Sequence, residues 1–290
     1  MNIYQQPSPK RLGVFRTRDL WLLGLQKRRK REKAMRNGSL NRIRRGWYAL
    51  PDAHPDLVNA VRRRGALTGL SACKLYGLWT PHHDKLQVAV PDFVRCSFTL
   101  GATRRSLKTK LPCGIVPLDT ALIHVAAYES TEVALIVFES ALNKGYIRRD
   151  QAKELLENVS RTRAQKILAR LISNSQSGSE TRVRNYIQSL RFKVVAQAQI
   201  DNVGRVDLLV KPRLIIECDS RAHHTSAINY QTDRNRSNSA LIRGYLTIRL
   251  TYEDVWSRWD NTKRWVRYLL QHRLHKWKNP AYSPMSSLTE

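Results

Sequence analysis

Apolar and polar residues alternate along the chain with a period that changes from segment to segment, and each change marks a predicted element. Near the start, "TRDLWLLGL" sets Leu20, Leu23 and Leu25 at near-helical spacing behind Thr17, a residue suited to an N-cap. "QKRRKREKAMRNG" continues as a second helix closed by Asn37-Gly38. "LNRIRRGWYAL" places Leu40, Ile43, Trp47 and Ala49 around Arg45-Gly46, the pattern of a short hairpin. Two helices break at Gly65 within "DLVNAVRRRGALTGLSACKLYGL", and "KLQVAV" predicts a strand. Apolar clusters at helical spacing then run through "PLDTALIHVAAYESTEVALIVFESALNKG" to a stop at Gly145.

The Ser/Asn/Gly-rich stretch "SNSQSGSE" reads as a linker, with a domain boundary near Ser173. Beyond it the pattern predicts a helix over about 179–190, strands at 193–200, 205–210 and 214–219, a helix over about 228–242, a strand at 245–250, and helices to the end. That order, α-β-β-β-α-β, implies one mixed sheet with helices on its faces. The expected class is α+β in three parts: a winged helix-turn-helix at 1–52, a mainly helical connector at 53–172, and a sheet domain at 173–290. Helix, basic helix and hairpin in that order would lay the second helix in a major groove and set the hairpin against the backbone.

Charge sharpens the expected partner. A formal net charge of +28 on 290 residues points to a polyanion, with double-stranded DNA as the leading candidate. Fourteen Lys and Arg stand against two acids, Asp19 and Glu32, in the first fifty residues, and seven of them fall within Lys27 to Arg36. Lys27, Arg28, Arg29, Lys30 and Arg31, with Arg42, Arg44 and Arg45 on the hairpin, form the expected DNA footprint. The alternative is a solvated basic helix without a ligand. No run reaches the roughly 18 apolar residues of a membrane span, and Met1 to Arg11 lacks the apolar stretch of a signal peptide. A soluble, cytoplasmic, nucleoid-associated protein without a membrane partner is expected, and a protein partner or homo-oligomer is left open. Cys73, Cys96, Cys113 and Cys218 show neither zinc spacing nor the density of a disulfide scaffold, so neither is expected. His124, in an apolar helix, reads as a packed residue, and His82-His83 receive no role.

Against this basic background, "GRVDLLVKPRLIIECDSRAHH" gathers Asp207, Glu217 and Asp219 on a predicted hairpin that turns near Pro212. If the loop is odd in length, residue 207 pairs with 217 and both side chains leave one face, with Asp219 beside them by the period of two. An even loop separates them. On the same logic Val206, Leu208, Ile216 and Cys218 project to the opposite face. Like charges in facing positions destabilise a sheet unless a cation neutralises them, and hard oxygen ligands suit Mg²⁺ (or Mn²⁺) better than zinc. Glu180 shares a helical face with Val183 and Ile187 and can point toward the same end, or can serve only as part of a capping box with Ser177.

Glu180, the "GRVDLLV" Asp207, the "IIECDS" Glu217 and Asp219, the "HH" at 223 and 224, and "YQTDRNRSNSALIRGYLTIRLTYEDV" together resemble the endonuclease family related to very-short-patch mismatch repair nucleases, within the PD-(D/E)XK superfamily. The resemblance covers roughly residues 177–258. "RNGSLNRIRRGWYALPD" through "LTGLSACKLYGLW" resembles the AbiEi-type antitoxin domain. The first resemblance implies a restriction-endonuclease-like fold and Mg²⁺-dependent hydrolysis of a DNA phosphodiester. Asp207, Glu217 and the Cys218 backbone carbonyl would hold the metal, and Glu180 a second ion or a metal-bound water. The lysine usual two positions after Glu217 is Asp219 here, and the following glycine is Ser220.

Without that lysine, His224 is a candidate proton-transfer group, against a plain surface role. Arg236 offers a phosphate contact or an intrahelical ion pair with Asp233. Trp256 and Trp259 read as packing residues, and the basic terminal helix "KRWVRYLLQHRLHKWK" would touch the DNA backbone or cover the sheet edge. Three functional classes follow: a metal-dependent DNA endonuclease, a DNA-binding regulator of antitoxin type with an inactive or secondary nuclease-like domain, and a structural or RNA-binding protein.

Overall fold

The computed structural model describes residues 12–92, 102–107, 114–219 and 227–276, with the backbone alone for 102–104, 106, 107 and 227–233. The chain is α+β and divides into two compact units, Met1–Leu171 and Ile172–Glu290.

In the first unit, β1 (Val14–Arg16), a 3₁₀ helix (Thr17–Leu23), α1 (Arg28–Arg36), β2 (Asn41–Arg44) and β3 (Trp47–Ala49) build an antiparallel sheet of order β1-β3-β2 beside two helices. The first helix therefore departs from the expectation in two ways. Pairing of Val14–Arg16 with β3 keeps the backbone extended through Arg16, so Arg16 rather than Thr17 is the N-cap. Asp19 then accepts from the Arg16 N–H at 3.3 Å and from its Nε at 2.9 Å, which favours the tight 3₁₀ turn. Phe15, Leu20, Ala34, Leu40 and Tyr48 make a small core here, while Val14, Trp47 and Ala49 join a larger one with Leu57 and Val61.

That larger core runs through α2 (Pro55–Arg62), β4 (Ala66–Leu67), α3 (Gly69–Leu75), β5 (Leu86–Pro91), β6 (Ala102–Leu107), α4 (Leu118–Tyr128), α5 (Thr131–Asn143), α6 (Arg149–Leu156) and α7 (Arg161–Leu168). β4, β5 and β6 form a second sheet, with β5 and β6 parallel. α2 ends at Arg62, ahead of Gly65, and Gly65 packs so closely on β5 that a Cβ there would lie 2.2 Å from Val88 Cγ1. His124 is a packing and hydrogen-bonding residue, with Nδ1 2.7 Å from the Thr68 hydroxyl and its ring edge-on to Tyr128. His83 bridges the Ser71 hydroxyl and the Pro81 carbonyl.

The second unit follows the predicted order: α8 (Gly178–Ser189), β7 (Val194–Ile200), β8 (Gly204–Val210), β9 (Leu214–Cys218), α9 (Ala227–Ile242), β10 (Leu246–Leu250), α10 (Tyr252–Trp256), α11 (Trp259–Gln271) and a last 3₁₀ turn, Leu274–Lys276. The sheet order is β10-β9-β8-β7, with β9 and β10 parallel and the other pairs antiparallel. One core gathers Val183 and Ile187 of α8 with Leu208, Val210, Leu214, Ile216, Val255 and Val266. A second gathers Ala198, Ile200, Leu209, Ile215 and Ala240. Trp256 and Trp259 pack partly into the first core, and the Arg182 guanidinium lies 4.5 and 4.7 Å from their ring centres.

Among the described residues no helix is long and apolar enough to cross a membrane. Cys73 and Cys218 are buried free thiols; Cys96 and Cys113 lie outside the described residues.

Candidate functional site

The turn between β8 and β9 comprises three residues, Lys211 to Arg213, and the register runs Val210↔Leu214, Leu209↔Ile215, Leu208↔Ile216. Its continuation sets Asp207 opposite Glu217, but regular pairing stops at Leu208↔Ile216. Beyond that point side-chain carboxylates stand in for the ladder. The Asp207 N–H donates to Glu217 Oε2 at 3.1 Å, and the Cys218 N–H donates to Asp207 Oδ2 at 2.9 Å. Backbone amides freed by parting strands must find acceptors, and charged acceptors are the strong ones. The same opening overturns one packing expectation. Leu208, Ile216 and Cys218 do share a core, but Val206 packs with Leu209 and Ile215 on the other face, because the alternation of β8 is interrupted where the strands part.

Glu180 enters from α8. Ser177 is the N-cap, its hydroxyl accepting from the Glu180 N–H at 3.1 Å. The Glu180 carboxylate accepts from the Gln176 N–H at 3.0 Å and from Gln197 Nε2 at 2.8 Å. Ser177 thus caps the helix through its hydroxyl, but the reciprocal half of a capping box is replaced: the Glu180 carboxylate takes the Gln176 amide, not that of Ser177, and faces the acidic cluster. Gln197 Nε2 lies 3.2 Å from Asp207 Oδ1, so one amide group ties Glu180 to Asp207.

Gln197 is the site residue that sequence reasoning missed. It sits inside β7 at φ 53°, a left-handed backbone conformation in a non-glycine residue, and its Oε1 is buried without a hydrogen-bond partner. Such strain and such an orphaned acceptor each cost free energy, and both concentrate at functional sites. The alternation of "VVAQAQI" marks Gln197 only as a non-core position of a strand.

Crowding of acids in a half-buried place shifts their titration. Burial, and then the neighbouring Asp207 carboxylate, push Glu217 up to about 7. Burial also raises Glu180, with Asp207 adding to it, and lifts the Cys218 thiol well above its usual range. Arg236 answers part of this charge: its Nη2 is 3.6 Å from Glu217 Oε1, and its Nε donates to the Val203 carbonyl at 3.2 Å. Arg236 therefore reaches the sheet from α9; the Asp233 side chain, its other expected partner, lies outside the described positions. Asp219 lies one residue beyond the last strand residue, Cys218. Its N–H donates to the Leu250 carbonyl at 2.9 Å, and its exposed side chain is outside the hydrogen-bonded cluster. His223, His224 and Ser220 lie outside the described residues.

The basic residues of the first unit divide by environment. Lys27, Arg28, Arg29 and Lys30 are exposed around the start of α1, as are Arg42 and Arg45. Arg28 pairs with Glu32 at 2.7 Å, and Arg31 donates to the Gln26 carbonyl at 2.5 Å. Arg44 is committed to the fold: its Nε donates to the Val61 carbonyl at 2.9 Å and its guanidinium lies 5.4 Å from the Trp47 ring centre. Burial, then the nearby Arg64, lowers its pKa.

Among the described residues no three His, Cys, Asp or Glu side chains converge into a group that could hold a metal ion. Asp207 and Glu217 each use a carboxylate oxygen on a backbone amide. The donor set is nonetheless hard and anionic, the chemistry that suits Mg²⁺ or Mn²⁺. The chain matches no protein-family model, and no curated protein matches it.

Proposed function

We propose that the chain is a Mg²⁺- or Mn²⁺-dependent DNA endonuclease, with its hydrolytic centre at the parted end of β8 and β9. The observation that carries this is the linkage of Glu180, Asp207 and Glu217 through Gln197 Nε2 and two backbone amides, in a chain of net charge +28. An acidic cluster held at such cost in a basic protein fits a bound divalent cation and a polyanionic substrate. The resemblance to very-short-patch-type nucleases and to AbiEi-type domains supports the same reading.

In this proposal Asp207 and Glu217 would hold the ion together with the Cys218 carbonyl, and Glu180 would hold a second ion or its water. A divalent cation there supplies Lewis-acid polarisation of the phosphodiester and a more acidic water. Gln197 keeps the Glu180 and Asp207 carboxylates at a fixed spacing by donating to both. Glu217, its carboxyl pushed up to about 7 by burial and by Asp207, would have to be ionised to serve as a ligand. His224 is the proposed partner in proton transfer. The exposed Lys27, Arg28, Arg29, Lys30, Arg42 and Arg45 neutralise backbone phosphates of duplex DNA.

One observation favours the second reading, a DNA-binding regulator of antitoxin type. Arg236 already faces Glu217, and a cation that neutralises the acidic pair from within the chain would suit an inactive domain. Incubation of purified protein with supercoiled plasmid separates the two. Nicking with Mg²⁺ and none with EDTA supports the nuclease, whereas intact plasmid at saturating protein in both conditions supports the regulator.

A further inference from the structure

The buried side of α11 carries Thr262, Val266 and Leu270, and its opposite side is exposed through Asn261, Arg264, Trp265, Arg267, Tyr268 and His272. Two of these are large aromatics that the fold leaves in water, Trp265 at 52% and Tyr268 at 57% exposure. Trp265, Tyr268 and His272 follow at i, i+3 and i+7, so they share one stripe along the helix. The Tyr268 and His272 rings are already stacked, with centroids 4.0 Å apart and planes 28° from parallel. Arg264, Arg267 and Arg273 are exposed along and just beyond the same helix, and its one acid, Asp260 in the first turn, is paired with Lys263 at 2.7 Å.

Exposed aromatics of this size are unfavourable in an isolated soluble surface and mark a place of contact. The charge beside them selects the partner. Three exposed arginines in a chain of net charge +28 favour an anionic partner, and a nucleic-acid strand offers phosphates to the guanidiniums and flat bases to the rings. A base inside a duplex has its faces covered by its neighbours, so only an unpaired strand can stack on Trp265 or extend the Tyr268–His272 stack. We infer that the outer face of α11 is a docking platform for single-stranded DNA, the strand being held by base stacking on Trp265 and Tyr268 and by phosphate contacts from Arg264 and Arg267.

This inference rests on the reading of the chain as a DNA-binding protein but not on cleavage, so the two fail separately. The protein would act on DNA containing an unpaired segment in preference to a perfect duplex.

The test is fluorescence anisotropy of the full chain in EDTA with a labelled thymidine 20-mer and with a labelled duplex of the same length. W265A/Y268A is expected to weaken single-strand binding at least tenfold, since losing the stacking of one base costs roughly 5- to 150-fold. Duplex binding is expected to change less than twofold, and W265F/Y268F, which keeps an aromatic ring at each position, is expected to restore most of the single-strand affinity. Both positions are exposed, so an unchanged melting temperature verifies that the variants fold. Equal single-strand affinity of W265A/Y268A and wild type overturns the proposal. So does loss of self-association in that variant by sedimentation, which would make the stripe an interface between copies. Loss of binding to anionic phospholipid vesicles, with the 20-mer still bound, overturns it in favour of a membrane surface. Plasmid cleavage is read in none of these arms, so a protein that binds the 20-mer through α11 but never cuts would leave this inference standing while the nuclease reading fell.

Discussion

The Asp207 amide donates to the Glu217 carboxylate at 3.1 Å, at the point where the strands carrying the two residues stop pairing. A carboxylate in place of a backbone acceptor gives the amide a strong partner but brings a negative charge beside the Asp207 carboxylate. The site is therefore stable only to the extent that protons, Arg236 or a cation offset that charge.

Asp207→Asn tests this balance. Asparagine keeps an oxygen for the Cys218 N–H and removes the repulsion toward Glu217. In EDTA near neutral pH the variant is expected to melt at or above the wild-type temperature. With Mg²⁺ the wild type is expected to gain stability by mass action, whereas the variant gains little. Differential scanning calorimetry with and without the ion checks both. A lower metal-free melting temperature for the variant would assign Asp207 a purely structural role.

Glu217 gives the expected pH dependence. Its folded-state pKa of about 7 lies above the roughly 4.3 of an unfolded glutamate, so the folded state binds the proton more tightly. The stability this contributes is fully present below about pH 4 and is lost as pH rises toward and through 7. In EDTA the melting temperature of the wild type is expected to fall over that window by several degrees more than that of Glu217→Gln, measured at matched ionic strength. Parallel profiles for the two proteins would show that Glu217 is not the titrating group.

Gln197 donates to two carboxylates from a strained backbone position. Gln197→Ala keeps the unfavourable φ and removes both bonds. The expected cost is about 1.5–3 kcal/mol in EDTA, the usual range for a hydrogen bond to a charged group. Mg²⁺ is expected to reduce that cost, because a cation can take over the screening of Glu180 from Asp207. Denaturant melts in both conditions read the difference. An identical loss in each would make Gln197 a packing residue only.

For the first unit, replacing Arg28, Arg29 and Arg31 together by Ala is expected to flatten the dependence of duplex affinity on salt. If about six phosphates are engaged, wild-type affinity should fall roughly 10³-fold between 50 and 200 mM salt, and each lost contact lowers the slope by about one. An unchanged slope would remove α1 from the DNA interface. Arg44→Ala, by contrast, is expected to act mainly on stability, since its guanidinium is tied to the Val61 carbonyl.

Where sequence and structure agree, the reasons are local. Asp207 could be set opposite Glu217 because Lys211, Pro212 and Arg213 interrupt two apolar runs, and a three-residue turn fixes the register. The order of elements from Gly178 to Leu250 followed from periodicity and from Gly and Ser punctuation. The differences come from partners distant in the chain. Val14–Arg16 is a strand only because Trp47–Ala49 lies beside it, which moves the helix cap from Thr17 to Arg16. Val206 changes face because the ladder opens beyond Leu208, and a strict period of two cannot express that. Arg236 finds Glu217 across a helix–sheet contact, which intrahelical spacing does not reveal. Gln197 enters the site through one unusual torsion, and no composition rule marks it.

The central claim, that Asp207 and Glu217 serve metal-dependent DNA cleavage, is tested most directly by plasmid nicking with wild type and Asp207→Asn side by side in Mg²⁺ and in EDTA. The expected result is nicking by the wild type in Mg²⁺ alone, with the variant at least 100-fold slower while it binds duplex DNA as tightly. A folded Asp207→Asn protein that cuts at the wild-type rate, or a wild type that cuts equally well in EDTA, would contradict it.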